Sequence, residues 1–312
     1  MDAQADDSRN DKNTYVYTMD APVDVDHPPQ RVVSLVPSVT ESLFDLNLGE
    51  RLIAITDYCT RPADKVARLP RIGGTKNPDI ERIIQMSPEL VIANREENRK
   101  EDVEALQAAG IPVWVTFPRT VREAFNLLWN IMYVFGVDEG TVGERIRAIE
   151  WSVDWLERLA ENKEPCKVFV PIWNEPLMTF NADTYSHDLL RVCGGINVFA
   201  ERERLYPLKA DLGQAEPYAA DDPRIADRDT RYPRVTLEEV VEAQPDIILL
   251  PTEPFPFTEE HIALFAELDV PAARTSGIII VDGSLLTWHG TRIAYAVDAL
   301  PGLLCPTGGE YD

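Results

Sequence analysis

Two glutamates occupy the same place in two copies of one pattern. Residues 80–93 read IERIIQMSPELVIA and residues 237–250 read LEEVVEAQPDIILL, with Glu81 and Glu238 second, a proline ninth and an acid tenth. A carboxylate in the first turn of a helix is favoured by the helix dipole. A third carboxylate, Glu175, follows the run KVFVPIW within Trp173-Asn174-Glu175-Pro176. At a strand end it can serve as acid/base on a glycosidic bond, provided a second carboxylate lies about 5 Å away. The four histidines are His27, His187, His261 and His289. His27 lies in a proline-rich segment and His261 on a charged helix, which argues against a multi-histidine metal site, so no metal is expected. Cys59, Cys166, Cys193 and Cys305 are too dispersed for a zinc pattern or a disulfide scaffold. The chain shows no Ser/His/Asp set, glycine-rich phosphate loop or Cys-x-x-Cys motif.

The elements that must position these residues alternate. RVVSLVP is a buried-strand run, and Ser38 with Glu41 predicts an S-x-x-E capping box for a helix ending near Gly49. RLIAIT, ELVIA and IPVWVTF are further strand runs, separated by helical patterns at 80–86, 97–109 and 121–135. A longer helix is expected over 141–162. Its apolar residues Val142, Ile146, Ile149, Val153, Leu156 and Leu159 step by three and four and predict one buried face. Beyond it the alternation repeats through KVFVPIW, SHDLLRVCGG, the second copy of the pattern, EEHIALFAEL, GIIIVDG and a closing helix at about 290–300. The fold class expected is α/β: two lobes with largely parallel sheets joined by one long rigid helix. The boundaries read as a polar segment 1–30, a first lobe 31–136, a connecting helix 137–164 and a second lobe 165–312. Residues 207–231 form a polar, proline-containing insertion, too long for an ordinary connection.

Composition narrows the partners. The 312 residues are 45% apolar and carry 30 basic against 53 acidic side chains, a net charge of -23. That charge repels phosphate backbones and anionic lipid headgroups, so neither nucleic acid nor membrane surface is an expected partner. No run reaches the roughly 18 to 20 apolar residues of a membrane span. The start MDAQADDSRNDKN is acidic rather than signal-like; as written it predicts a cytoplasmic chain, and a mature or trimmed sequence whose polar start is a tether is the equal alternative.

Over most of its length the sequence resembles the cobalamin, haem and ferric siderophore receptors of ABC importers, and it is most similar to their cobalamin-binding branch. The residues that carry the resemblance are RVVSLVPSVTE, NPDIERIIQMSPELVIA, LLRVCGGINVF, YPRVTLEEVVEAQPDIILL and DGSLLTWHGTRIAYAVDAL. It implies a monomeric, non-enzymatic, extracytoplasmic binding protein without a catalytic cofactor. Such a protein captures a corrinoid, or alternatively haem or an iron chelate, in the cleft between its lobes and delivers it to an ABC permease. The positions that match the family's ligand loops are Tyr58, Thr75, Trp173, Tyr232, Asp282, Trp288 and His289. Those that match its permease-docking glutamates are Glu81 and Glu238. Thr75 and Tyr232 stand where cobalamin receptors tend to place tryptophans. Exported relatives imply a Cys193–Cys305 disulfide. Two alternatives remain: a cytosolic corrinoid or haem carrier or sensor without a permease, and a glycoside hydrolase acting through Glu175. Buried core aromatics compete with the ligand role at each ring, more at Trp173 than at Tyr232.

Overall fold

The duplicated pattern is duplicated structure. Ile80–Met86 and Leu237–Ala243 are both seven-residue helices with exposed glutamates second, and each is capped by a side chain at its start, Asp79 in one and Thr236 in the other. Each ends on a residue in the left-handed region, Ser87 at φ 48° and Gln244 at φ 48°. A proline follows each cap, which stops the helix and turns the chain into a fully buried strand, Leu90–Asn94 or Ile247–Pro251.

The computed structural model describes residues 23–161, 164–219, 221–226 and 228–304. In the first lobe β1 (Val32–Ser34) leads to α1 (Pro37–Asp45), β2 (Leu52–Ile55), the short helix α2 (Ala63–Val66) and the two-residue strands β3 (Gly73–Gly74) and β4 (Asn77–Pro78). Then come α3 (Ile80–Met86), β5 (Leu90–Asn94), α4 (Lys100–Ala108), β6 (Val113–Thr116) and α5 (Val121–Val134). A π-turn at Glu139–Gly143 runs directly into α6 (Glu144–Ala160), a continuous helical bridge of 22 residues. The second lobe holds β7 (Cys166–Phe169), α7 (Tyr185–Val192), β8 (Gly195–Asn197), α8 (Leu237–Ala243), β9 (Ile247–Pro251) and α9 (Glu259–Ala266). It closes with α10 (Pro271–Arg274), β10 (Ile278–Val281), α11 (Ser284–Thr287) and α12 (Ile293–Leu304). The main sheets are parallel, in the orders β2-β1-β5-β6 and β8-β7-β9-β10. Counting strands within each lobe, both read second-first-third-fourth.

Because helices cover both faces, the central strands β1, β5 and β9 are buried on both sides. In β1, Val32 packs into the core on one face and Val33 into the core on the other. The first of these cores is shared by the lobes, since Val32, Leu43 and Phe125 belong to the same apolar cluster as Val168, Leu189 and Leu300. Each lobe also has a cluster of its own on its outer face.

Two expectations change. α1 has no side-chain cap, because Pro37 takes its first turn and makes Val36 the cap residue. Ser38 and Glu41 therefore lie inside the helix and point at the other lobe. The Ser38 hydroxyl lies 3.4 Å from His289 Nδ1, and the Glu41 carboxylate accepts from Arg292 at 3.1 Å. In α6, Ile146 and Val153 are buried as expected, but Leu159 is 42% exposed.

The Glu41–Arg292 contact is the most buried ion pair among the described residues that joins the lobes, with both side chains 6% exposed. Arg292 also donates to Asp282 at 3.0 Å and to the Ser284 hydroxyl at 2.8 Å. Burial raises the Glu41 pKa, while the Arg292 charge opposes that rise. Arg292→Met should cost about 3–5 kcal/mol of stability at pH 8, because it strands a buried carboxylate. The loss should shrink towards pH 5. Without the guanidinium, folded Glu41 holds a proton that the unfolded chain, near its ordinary value of 4.5, has released, so stability falls as pH rises. Urea titrations at the two pH values measure the difference.

Candidate functional site

In each lobe the chain leaves the first strand in one direction and the third in the other, so the loops at their carboxyl ends part and leave a crevice. In the first lobe these loops are 35–36, after β1, and 95–98, after β5. In the second they are 170–176, after β7, and 252–256, after β9. The two crevices face each other, and side chains from both lobes meet between them.

Among the described residues, three ion pairs cross this cleft. Arg61 reaches Asp282 at 2.7 Å, Arg119 reaches Asp183 at 2.8 Å and Arg231 reaches Glu96 at 2.7 Å. Glu96 also accepts the Tyr232 hydroxyl at 2.5 Å. Arg231 is fixed from behind by Asp229 at 2.6 Å, and its guanidinium lies 4.9 Å from the centre of the Phe117 ring. Burial, together with the Glu96 charge, pushes the Tyr232 hydroxyl well above its ordinary range, so it stays protonated and donates. The segment before Arg231 is anchored on the second lobe. Asp211, fully buried in its side chain, accepts from the Leu205 and Arg234 backbone amides, and the Tyr206 hydroxyl donates to the Asp229 carbonyl.

Behind these contacts stand two carboxyls that resist ionisation. Glu97 is pushed up to about 8 by burial, then by the charges of Glu96 and Glu253, against a weaker opposing pull from Lys76. Burial also raises Glu253, while hydrogen bonds from Thr287 and Trp288 hold it back. At neutral pH Glu97 is therefore a neutral acid, able to donate a hydrogen bond inside the cleft.

The structure distributes the sequence-predicted residues unevenly. Tyr58 is 63% exposed and Trp173 45% exposed, with Trp173 edge-on to Phe255 at 5.6 Å. The core role weighed for Trp173 thus fails, because its ring stands on the Trp173–Met178 hairpin rather than under the sheet. Thr75 lies in the β3–β4 turn, its carbonyl held by Asn98. Asp282 is shared between Arg61 and Arg292. Burial pushes its carboxyl up, but the Ser284 hydroxyl and Arg61 outweigh that and keep it below the usual range. Trp288 and His289 are buried at the lobe junction, where the Trp288 carbonyl accepts from Tyr185. Burial lowers the His289 imidazole to about 4, so it is neutral at pH 7. Glu175 is exposed at φ 58° in the hairpin turn. Cys193 is buried with its thiol pushed up to about 12 by burial, and Cys305, its expected disulfide partner, lies outside the described residues.

Sequence reasoning missed Arg61, Glu96, Glu97, Arg231 and Glu253. A signal for two of them existed. Continued past its last apolar residue, the duplicated pattern brings Glu96 and Glu253 to the same position.

A model of the periplasmic binding protein family matches residues 32–253. A vitamin B12-binding protein of Vibrio cholerae serotype O1 is 23% identical over 240 residues, 75% of this chain and 72% of the relative. One from Vibrio parahaemolyticus is 25% identical over 235 residues, with the same two shares of 75% and 72%. Among solved structures, the periplasmic heme-binding protein RhuT from Roseiflexus sp. RS-1 superposes with a TM-score of 0.70 at 22% identity, covering 88% of this chain and 97% of that one. The periplasmic vitamin B12-binding protein BtuF of Vibrio cholerae gives 0.68 at 21% identity, covering 91% and 100%. At these identities the superpositions establish the fold.

The raised Glu97 carboxyl has a measurable consequence. Between its ordinary value of 4.5 and about 8 the folded state binds a proton that the unfolded chain has lost, so stability falls with rising pH across that window. Glu97→Gln removes the dependence. The variant should melt at a higher temperature than the parent at pH 8 and close to it at pH 4.5, as followed by circular dichroism. An equal shift at both values would contradict a neutral Glu97.

Proposed function

The chain belongs to the periplasmic binding protein family, a family of non-catalytic ligand carriers for ABC importers, and we propose that the ligand it carries is a corrinoid of the cobalamin type. The observation that carries this reading is the pair of exposed aromatic rings on opposite lobes, Tyr58 and Trp173, which no core claims. Aromatic faces bury much apolar area at small entropic cost and suit a large, flat macrocycle. The relatives of Vibrio cholerae and Vibrio parahaemolyticus, both vitamin B12-binding proteins, support the same ligand. Around the rings, neutral Glu97 and the Arg61–Asp282 pair supply the polar groups that amide-bearing side arms of a corrin can use. Thr75 and Tyr232 border the same cleft. His289, neutral and buried against Ser38, acts at the lobe junction in this reading rather than as a ligand to the macrocycle's metal. Glu175 has no part in it, since a glycosidase reading needs a strand-end pair in a barrel and this fold is two-lobed.

Titration of the purified chain with cobalamin, a cobalamin precursor and haem, followed by the visible absorbance of each, separates the ligands. Saturable one-to-one binding of a corrinoid is expected, weakened roughly tenfold by Tyr58→Ala or Trp173→Ala. Haem saturating at lower concentration than any corrinoid would overturn the choice of ligand and leave the carrier role intact.

In the same reading Glu81 and Glu238 dock the loaded protein onto an extracytoplasmic permease face. Each is exposed at the second position of its helix, on matched elements of matched lobes. Reversing both charges, Glu81→Arg with Glu238→Arg, should abolish uptake in cells while the ligand titration is unchanged. Uptake at the parental rate would remove the docking role and favour a carrier that works without a permease.

A further inference from the structure

The connecting helix carries a second apolar stripe that folding does not use. Its inner face buries Ile146 and Val153 against the shared core. On the opposite face Trp151 is 71% exposed, Trp155 62% and Leu159 42%. These three positions are spaced by four, so they line up along one side of α6, with Ala148 exposed one step before them. Two tryptophans and a leucine in a row make a contiguous patch, unlike isolated surface apolar residues, which are common. The stripe is bounded by opposite charges: Glu144 one turn before Ala148, and Arg158 beside Leu159. Neither makes an ion pair with another described residue.

We propose that this face of α6 is a dimer seam that takes a second copy of the same chain, helix against helix in antiparallel sense. The pattern is self-complementary in that arrangement. When two copies cross near Trp151, the bulky Trp155 of each falls opposite the small Ala148 of the other, so large fills small on both sides of the dyad. The same register brings Glu144 of each copy within reach of Arg158 of the other, giving two ion pairs at the ends of an aromatic centre. A parallel pairing would instead set Arg158 beside Arg158 and Glu144 beside Glu144. The monomer expected from the sequence is in this view the dilute, low-salt form.

Size and charge set the strength. The two indoles contribute roughly 300 Å² per copy, against about 800 Å² per partner in a standard interface, so the dimer should be micromolar rather than nanomolar. Each copy carries -23, and that repulsion opposes association until salt screens it. The dimer should therefore tighten with added salt, the reverse of an association driven by charge attraction.

Sedimentation velocity of the full chain, from micromolar to near-millimolar concentration and at low and high sodium chloride, tests this. A weight-average mass that climbs from one copy towards two with concentration and with salt is expected. Trp151→Glu with Trp155→Glu should hold the chain monomeric throughout, with unchanged circular dichroism and ligand titration. Glu144→Arg alone and Arg158→Glu alone should each weaken the dimer at least tenfold, and the two together should restore it, because the swapped charges meet again across the seam. A chain that stays monomeric in every condition overturns the proposal, as does a dimer indifferent to loss of both indoles. A monomer whose permease complex is lost with the two indoles also overturns it, and assigns the stripe to the permease. Failure of the double swap to restore what each single change removes overturns the antiparallel register on which the proposal rests.

Discussion

A guanidinium with 6% of its surface exposed cannot shed its proton, and it must be surrounded by acceptors to persist. Arg292 finds them on both sides of the molecule: Glu41 in the first lobe, Asp282 and Ser284 in the second. Asp282 then reaches back across the cleft to Arg61. The lobes are thus joined by a chain of alternating charges that starts in the core and ends at the cleft surface. A lysine could lose its proton on burial and leave this chain without its centre. The packing beside it is equally exacting. Gly290 sits at φ 83° with its α-carbon against Ser42, and a β-carbon there would collide with the serine hydroxyl.

The apolar core reinforces the polar joint. Because one cluster runs from β1 and α1 through α5 and α6 to α7 and α12, moving one lobe against the other would open packed surface as well as break hydrogen bonds. Freedom remains at the rim, where the cross-cleft pairs are partly exposed and therefore individually weak. The molecule is stiff at its base and adjustable at its mouth, which suits a carrier that must hold a ligand and later release it.

Much of the architecture was legible in the sequence because it rests on local periodicity. Alternating strand and helix runs, the repeated helix-proline-strand unit and the long bridge all follow from spacing within about twenty residues. The misreadings have a common origin. Ser38 and Glu41 have the spacing of a capping box, and only the proline between Val36 and Ser38, together with partners some 250 residues away, turns them inward. Trp173 and Trp288 look alike at strand or helix ends, yet one stands in the open and the other is buried, a difference decided by a hairpin and a lobe junction that no local pattern encodes. Glu97 is an ordinary loop glutamate until burial raises its carboxyl, reinforced by the charges of Glu96 beside it and of Glu253 from the other lobe.

The matched strand orders of the two lobes have one more consequence. When a unit is copied and the copies face each other about an approximate dyad, every loop residue near that axis confronts its own duplicate, so an acid placed there meets an acid. Glu96 and Glu253 are such a pair by position, and each has acquired a different partner. Glu96 takes Arg231 and Tyr232, and Glu253 takes Thr287 and the Trp288 indole. Symmetry by itself would have pushed the halves apart at this point, so their divergence is a structural requirement. The cleft is lined unequally in consequence, with a cationic clamp at Glu96 and a hydroxyl with an indole at Glu253.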